Sequence, residues 1–517
     1  MNATCHTAPH KPHRVLGTLL CLVLLASPAS ARQAATNDDA IAQAARASLP
    51  QWLEFLRLPN VAARSSAEIA RNAEWARDAF AGHGFQAQLL AADDAPMVFA
   101  QWPHPAPQRK TVLFYAHMDG QAVFPQQWSQ RDPFTPVLKQ RDADGGWREL
   151  PLQRLLQAGA PDPEWRVFAR SAADDKAPIV MLLAAMDSLR AQGREPAINV
   201  KVILDSREES GSPSLAQVVA RNRALLQADA VVMLDGPMHR SNRPTLVFGH
   251  RGGTGLLLTV YGAREELHSG HYGNYAPNPA FALARLLAGM KDAQGRVLIP
   301  GFYDGVAPDR AVLAAVPDDA GEIRGRIGIA AAEQVGANYQ EAMNYPTLNI
   351  NAMSAGAIDS RRTVIPASAA ASLDLRTVPG TPPPQRQVEL VRAYVQAQGY
   401  HLVEGEPTPE QRARYPLLAS IHAGAGGEAL QTPLDAPIGQ WAQAAVRAGS
   451  GQEPVRIPLM GGGVPSQPLA EGLGAPILLV PLVNADNNQH VADENMRIGN
   501  YLEGVRTLHA LLSQPLP

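Results

Sequence analysis

Short apolar runs of strand length recur at 111–115, 166–169, 200–204 and 230–234, and again near the end at 477–482. Between several of them the apolar positions take a helical spacing, most clearly at 177–192 and 213–226. A further helix is expected over 65–81, where Ser65 and Glu68 have capping-box spacing and Gly82 and Gly84 supply a stop. Strand, loop and helix in repetition predict an α/β fold with a mostly parallel sheet flanked by helices.

The pattern changes near Gly252. An alternating strand is expected over 254–262, a helix over 277–290 and a strand region over 361–377, while 291–345 shows no readable period. The run PGTPPP at 379–384 reads as a junction, followed by a helix over 385–399 and a return to the first pattern. The expected organisation is a catalytic domain in two parts, 32–251 and 379–517, with a smaller α+β domain inserted at 252–378.

The N-terminus reads as an export signal. Lys11 and Arg14 precede an apolar stretch at 15–26, and Ala29-Ser30-Ala31 has the spacing of a cleavage site. Residues 1–31 are therefore expected to be removed, giving a periplasmic or secreted protein with no stable membrane anchor. Both cysteines, Cys5 and Cys21, fall in that segment, so a metal site in the mature chain would use His, Asp and Glu. The 517 residues carry a net charge of -3, which does not point to nucleic acid. At 46% hydrophobic residues the chain can fill a sizeable core.

The chemistry gathers behind the strands. His117 and Asp119 follow the first run, Asp174 and Asp175 the second, Glu208 and Glu209 the third, Asp235 the fourth and His490 the last. Ligands of an open α/β sheet bind beyond the carboxyl ends of its strands. Singly, each signal is weak: Asp174 could be a solvated helix start, and Asp235 before Gly236-Pro237 a turn acid. Five strands delivering His or carboxylate to one edge argue for a metal site. Adjacent carboxylates such as Glu208 and Glu209 repel, and divalent cations hold such groups ionised. Imidazole with carboxylate suits zinc best, with manganese or cobalt as alternatives. Five ligands exceed what one tetrahedral zinc needs, so two cations sharing a carboxylate fit better. One glutamate of the pair can then bind metal while the other serves as base to the attacking water. Asp119 can hold the imidazole of His117 from behind.

Quoted in order, AHMDG (116–120), RSAADDKAP (170–178), DSREESGS (205–212), MLDGP (233–237), LHSGHYGN (267–274) and QHVADENM (489–496) carry a resemblance. The chain resembles the dinuclear zinc metallopeptidases that include carnosinase, cytosolic non-specific dipeptidase, glutamate carboxypeptidase, acetylornithine deacetylase and succinyl-diaminopimelate desuccinylase. The motifs span nearly all of the mature chain. The resemblance implies a zinc-exopeptidase-like catalytic domain and an inserted lid that forms a homodimer. It implies that His117, Asp174 and Asp235 bind one cation, and Asp174, Glu209 and His490 the other. Glu208 would be the general base, with Asp119 behind His117 and a cis peptide after Asp174. Asp235 and LHSGHYGN favour the dipeptidase branch, in which His268 would reach the partner subunit's site and stabilise the oxyanion. Thr363 and Arg376 would contact substrate, Arg376 gripping its carboxylate, and Gly462 and Gly463 lie in the matching substrate loop.

Some positions depart from the family pattern. Ser171 and Ala177 stand where relatives usually have glycine, and Gly463 where dipeptidase relatives often have serine. The resemblance implies hydrolysis of dipeptides or short peptides. The alternatives are an N-acyl-amino-acid deacylase or carboxypeptidase of the same family, and a periplasmic binding protein without catalysis.

Overall fold

The computed structural model describes residue 1 and residues 28–157, 159–358 and 362–517. The expected export signal, with both cysteines, lies outside these residues except for residue 1 and positions 28–31, the latter opening the helix Pro28–Leu56. Among the described residues no helix is long and apolar enough to cross a membrane.

The larger layer is an eight-stranded sheet. Its order is Gln86–Leu90, Met97–Gln101, Asn199–Asp205, Thr111–His117, Ala230–Met233, Ile477–Leu479, Thr245–Val247 and Val455–Ile457. From Asn199–Asp205 to Ile477–Leu479, neighbouring strands are parallel. The first two strands and the Ile477–Leu479/Thr245–Val247 pair run antiparallel to their neighbours. The central strands are apolar without alternation because both faces are covered. Val112, Phe114 and Ala116 enter one core with Met181, Val505 and Leu508. Leu113 and Tyr115 enter the other with Leu215, Val218 and Leu469. The helix Lys176–Ala191 is buried nearly all round, since it packs between Pro28–Leu56 and Ile498–Ser513.

The second layer is a five-stranded sheet ordered Thr347–Ser354, Ser368–Thr377, Gly252–Tyr261, Leu418–Ala423 and His401–Leu402. Ser368–Thr377 alternates strictly between buried and partly exposed positions. Its buried face meets Leu283, Leu287, Val391 and Val395 from the helices Pro279–Ala288 and Pro384–Ala397. Leu418–Ala423 and Pro384–Ala397 follow the Pro-rich run yet belong to this layer, which therefore extends past residue 378 to Ala423. The chain crosses between layers at Gly252 and Gly253. A Cβ on Gly252 would collide with the Gly427–Ala429 backbone, and one on Gly253 with the carbonyl of Leu375.

Two local expectations need correction. Arg166–Phe168 is not a strand of the parallel sheet. It lies in a separate antiparallel sheet ordered Asn495–Arg497, Arg166–Phe168, Val137–Arg141, Trp147–Leu150. A three-residue buried strand has no period by which to choose its partner. The helix expected over 213–226 is two helices, Leu215–Arg221 and Arg223–Leu226, with Asn222 between them. The Asn222 side-chain amide donates to the Val218 carbonyl at 2.9 Å, sharing that acceptor with the Asn222 backbone N–H.

Candidate metal centre

His117 ends the Thr111–His117 strand, in register with Asp205 of the next strand. Asp205 is buried and accepts from Ser212 Oγ at 2.6 Å and Tyr115 Oη at 3.1 Å. Those bonds fold the following residues back, so that Glu208–Ser210 forms a short 3₁₀ turn beside His117. Asp119 fixes that turn. Its two carboxylate oxygens accept the backbone N–H groups of Glu208 (2.9 Å) and Glu209 (3.1 Å).

Asp119 also stands behind His117, as the sequence suggested, but with its main chain nearest. His117 Nδ1 is 3.1 Å from the Asp119 carbonyl and 3.4 Å from its carboxylate. A donor Nδ1–H leaves Nε2 free to act as a ligand. Asp119 thus couples the imidazole to the glutamate pair.

Asp174 arrives from outside the parallel sheet, through a cis Asp174–Asp175 peptide. Its Oδ1 lies 2.9 Å from His117 Nε2 and its Oδ2 3.1 Å from His490 Nε2. His490, at positive φ, also reaches Glu209 Oε2 at 3.3 Å. Asp235 follows the Ala230–Met233 strand. His117, Asp174 and Asp235 form one group and Asp174, Glu209 and His490 another, with the ligand atoms of each group within 4.8 Å of one another. Asp174 belongs to both. Glu208 belongs to neither.

The electrostatics follow from burial and crowding. Burial pushes the Glu208 carboxyl up to about 8; Asp235, Glu209 and Asp174 add to the rise while His117 opposes it. Burial, then the charge of Asp174, raises Glu209 to about 7 and Asp235 to about 6. Burial works against the charge on Asp174, but hydrogen bonds from His117 and His490 hold it below the usual carboxylate range. His490 is raised to about 9 chiefly by Asp174. Without a cation, protons must balance this excess of negative charge. Two imidazole nitrogens and three carboxylates, one of them shared, fit a pair of divalent cations.

The remaining expected residues divide. Gly462 and Gly463 line a cavity that opens on Asp174, Glu208, Asp235 and His490. Arg376 lines a neighbouring cavity, where its Nε donates to Asp374 at 2.9 Å. His268 is exposed, caps the turn Ser269–Tyr272, and is not among the residues lining the main cavity of its own chain. Thr363 sits beside it, its carbonyl accepting the Ser269 N–H at 2.9 Å.

Sequence reasoning gave no role to Glu494 and Gln121. Glu494 is fully buried and accepts from the backbone of Ser171, Ala173 and Asp174 and from Arg170 Nη1, at 2.8–2.9 Å. Its only signal was its place inside QHVADENM. Gln121 donates to Glu209 Oε2 at 2.7 Å.

His117 and Asp235 at strand ends of a mixed sheet, with Asp174 shared between two candidate ligand groups, are the arrangement of a metal-dependent hydrolase. The chain belongs to peptidase family M20/M25/M40, whose model matches residues 113–514. It is 25% identical over 417 residues to the Cys-Gly metallodipeptidase DUG1 of Saccharomyces cerevisiae, covering 78% of this chain and 79% of the relative. It is 25% identical over 420 residues to the human Beta-Ala-His dipeptidase, covering 78% and 74%. Among solved structures, the M20 family metallo-carboxypeptidase Sso-CP2 from Sulfolobus solfataricus superposes with a TM-score of 0.71 at 25% identity, covering 90% of this chain and 98% of that one. Human carnosine dipeptidase 1 superposes at 0.69 with 20% identity, covering 92% and 97%, which shows the same fold.

Proposed function

We propose that this protein hydrolyses the peptide bond of dipeptides or short peptides, using two divalent cations and Glu208 as general base. The observation that carries the reading is the division of labour around Asp174. Two ligand groups share that carboxylate, and Glu208 stands beside them, partly buried and belonging to neither. His117, Asp174 and Asp235 would hold one cation, and Asp174, Glu209 and His490 the other, with zinc suiting the donors best and manganese or cobalt as alternatives. When bound, the cations would supply Lewis acidity at the scissile amide.

The chain's own residues supply the proton path. Glu208 takes a proton from the attacking water and delivers it to the leaving amine. Asp119 holds Glu208 and His117 in fixed relation through its contacts to both. Arg376 suits a substrate carboxylate, because a guanidinium binds one in a two-pronged fashion. The relatives named for Cys-Gly and Beta-Ala-His hydrolysis support the dipeptide class.

His268 and Thr363 lie together on the second layer, away from their own chain's cavity. We assign them to the site of a partner subunit, in a homodimer formed through this layer. Exposed Leu257, Ile350 and Met353 on that sheet are consistent with such an interface. Export through the segment 1–31 remains part of the proposal.

The test is turnover of free dipeptides against N-acetyl and N-succinyl amino acids by the zinc- or manganese-loaded protein. Activity confined to the acylated set would replace this reading with a deacylase. For the shared site, mixed dimers of His268→Ala and Glu208→Gln chains should regain activity that neither homodimer has.

A further inference from the structure

The cavity over the metal centre has a volume of about 400 Å³. Asp174, Glu208, Asp235 and His490 account for its reactive end. Much of the remaining wall is hydrocarbon or thioether: Val247, Ile323, Met343, Ile457, Leu459 and Met460. Val247 and Leu459 are buried, so this part of the wall is fixed by the core behind it. Most charged groups on the same wall already face a partner. Arg240 is 3.5 Å from Glu322, and His239 Nε2 is 3.5 Å from Asp319. Arg326, the remaining cation of the wall, is exposed to solvent.

The neighbouring cavity has the opposite character. Gly463 lines both. Beyond it lie Arg251 and Arg376. Arg251 is buried, and its Nε has no hydrogen-bond partner. A buried guanidinium with an unmet donor favours an incoming carboxylate. A dipeptide whose carboxylate lies toward those arginines, with its amide at the metal centre, leaves its amino-terminal side chain to the apolar cavity.

We propose that the site selects dipeptides whose amino-terminal residue carries a large apolar side chain, such as Leu, Met or Phe. The inference rests on the dipeptidase reading above and names the substrate class within it. Burial of that side chain against Ile323, Met343 and Met460 removes apolar surface from water, which a glycine, alanine or β-alanine in the same place does to a smaller degree or not at all. A charged side chain would lose hydration there and meet only the solvent-exposed Arg326 or the His239–Asp319 pair, whereas an apolar one meets the hydrocarbon wall directly.

The experiment measures kcat/KM of the full-length, zinc-loaded protein for Leu-Gly, Met-Gly, Phe-Gly, Ala-Gly, Gly-Gly, Glu-Gly and N-acetyl-leucine. Leu-Gly should exceed Gly-Gly by roughly tenfold or more, the scale on which apolar pockets discriminate. Ile323→Asp and Met343→Gln alter two partly exposed wall positions, so the core is spared. Each should lower the Leu-Gly to Gly-Gly ratio severalfold, mainly through KM. Equal turnover of Gly-Gly and Leu-Gly, preference for Glu-Gly, or an unchanged ratio in both variants overturns the side-chain preference and leaves the dipeptidase reading standing. Turnover of N-acetyl-leucine alone overturns both.

Discussion

Glu494→Gln changes one atom and tests how the metal centre is held together. The Glu494 carboxylate is fully buried. Its Oε1 accepts the N–H groups of Ala173 and Asp174, both at 2.9 Å. Its Oε2 accepts the Ser171 N–H and Arg170 Nη1, both at 2.8 Å. Every oxygen therefore faces two donors, and a glutamine amide can serve only one such pair. Its NH₂ group would confront either the Asp174 backbone or the arginine, donor against donor. Breaking a buried ion pair from one side costs roughly 3–5 kcal/mol. Each lost hydrogen bond to a charged group accounts for about 1.5–3 kcal/mol of that. The variant should lose stability on this scale, a large part of the roughly 5–15 kcal/mol typical of a domain.

The position of Glu494 adds a second readout. It is anchored to the Asp174 loop and lies in the segment that carries His490, so it ties two proposed ligands of one cation together. Partners behind metal ligands change affinity by roughly 10–100-fold when removed. Zinc affinity by chelator competition should fall in that range for Glu494→Gln. Arg170→Gln retains the three backbone bonds to Glu494 but loses the bond from Arg170 Nη2 to the Val491 carbonyl beside His490, so stability should drop and zinc affinity should fall less than for Glu494→Gln. Urea unfolding of both variants gives the stability. If Glu494→Gln unfolds within about 1 kcal/mol of wild type and binds both ions unchanged, the reasoning is wrong.

Glu208→Gln should retain both metals and lose at least about 100-fold in kcat, the size of a general-base contribution, whereas Glu209→Gln should bind one ion more weakly; equal metal loss in the two variants, by elemental analysis, would refute the division. His509 is buried against Ser188 Oγ at 2.6 Å, and burial, with the charge of Arg194 nearby, lowers its pKa to about 4. Its folded value lies below the unfolded one of about 6.5, so the unfolded chain binds the extra proton between them. The stabilisation is complete above pH 6.5, on the order of 3 kcal/mol, and is lost as pH falls through about 4. Unfolding free energies of wild type and His509→Gln should diverge in that window by this amount, and parallel curves would contradict it. Gly252→Ala should lower Tm by several degrees, because the Gly427–Ala429 backbone leaves no room for a methyl group; an unchanged Tm in a calorimetric scan would show that the strand crossing yields.

What could be read in advance depended on how locally each feature is encoded. Strands such as Thr111–His117 and Asn199–Asp205 stand out because both faces are largely buried, which leaves them apolar apart from Lys201 and their end residues. The same burial forces polar chemistry to their ends, so His117, Glu208, Glu209 and Asp235 were visible as a set. Arg166–Phe168 was visible as a strand, but its sheet was not, since pairing is decided by Asn495–Arg497 more than three hundred residues away. The Leu418–Ala423 strand went to the second layer for a similar reason: its partner is Gly252–Tyr261. The unreadable stretch 291–345 holds three short helices, Arg310–Ala314, Ala320–Ile327 and Tyr339–Met343, each too brief to show a period. Glu494 escaped because burial of an acid leaves no mark in its neighbours.

Ile323, Tyr339 and Met343 belong to the chain between two strands of the second sheet, while Asp174 and Asp235 hang from the catalytic layer. Part of the recognition wall is therefore mounted across the Gly252–Gly253 crossing from the chemistry, while Val247 and Ile457 stay with the catalytic sheet. A swing about that crossing would withdraw Ile323, Tyr339 and Met343 from the catalytic floor in a single stroke. Admission of substrate, its sorting by side chain and the escape of two amino acids would then share one mechanical degree of freedom.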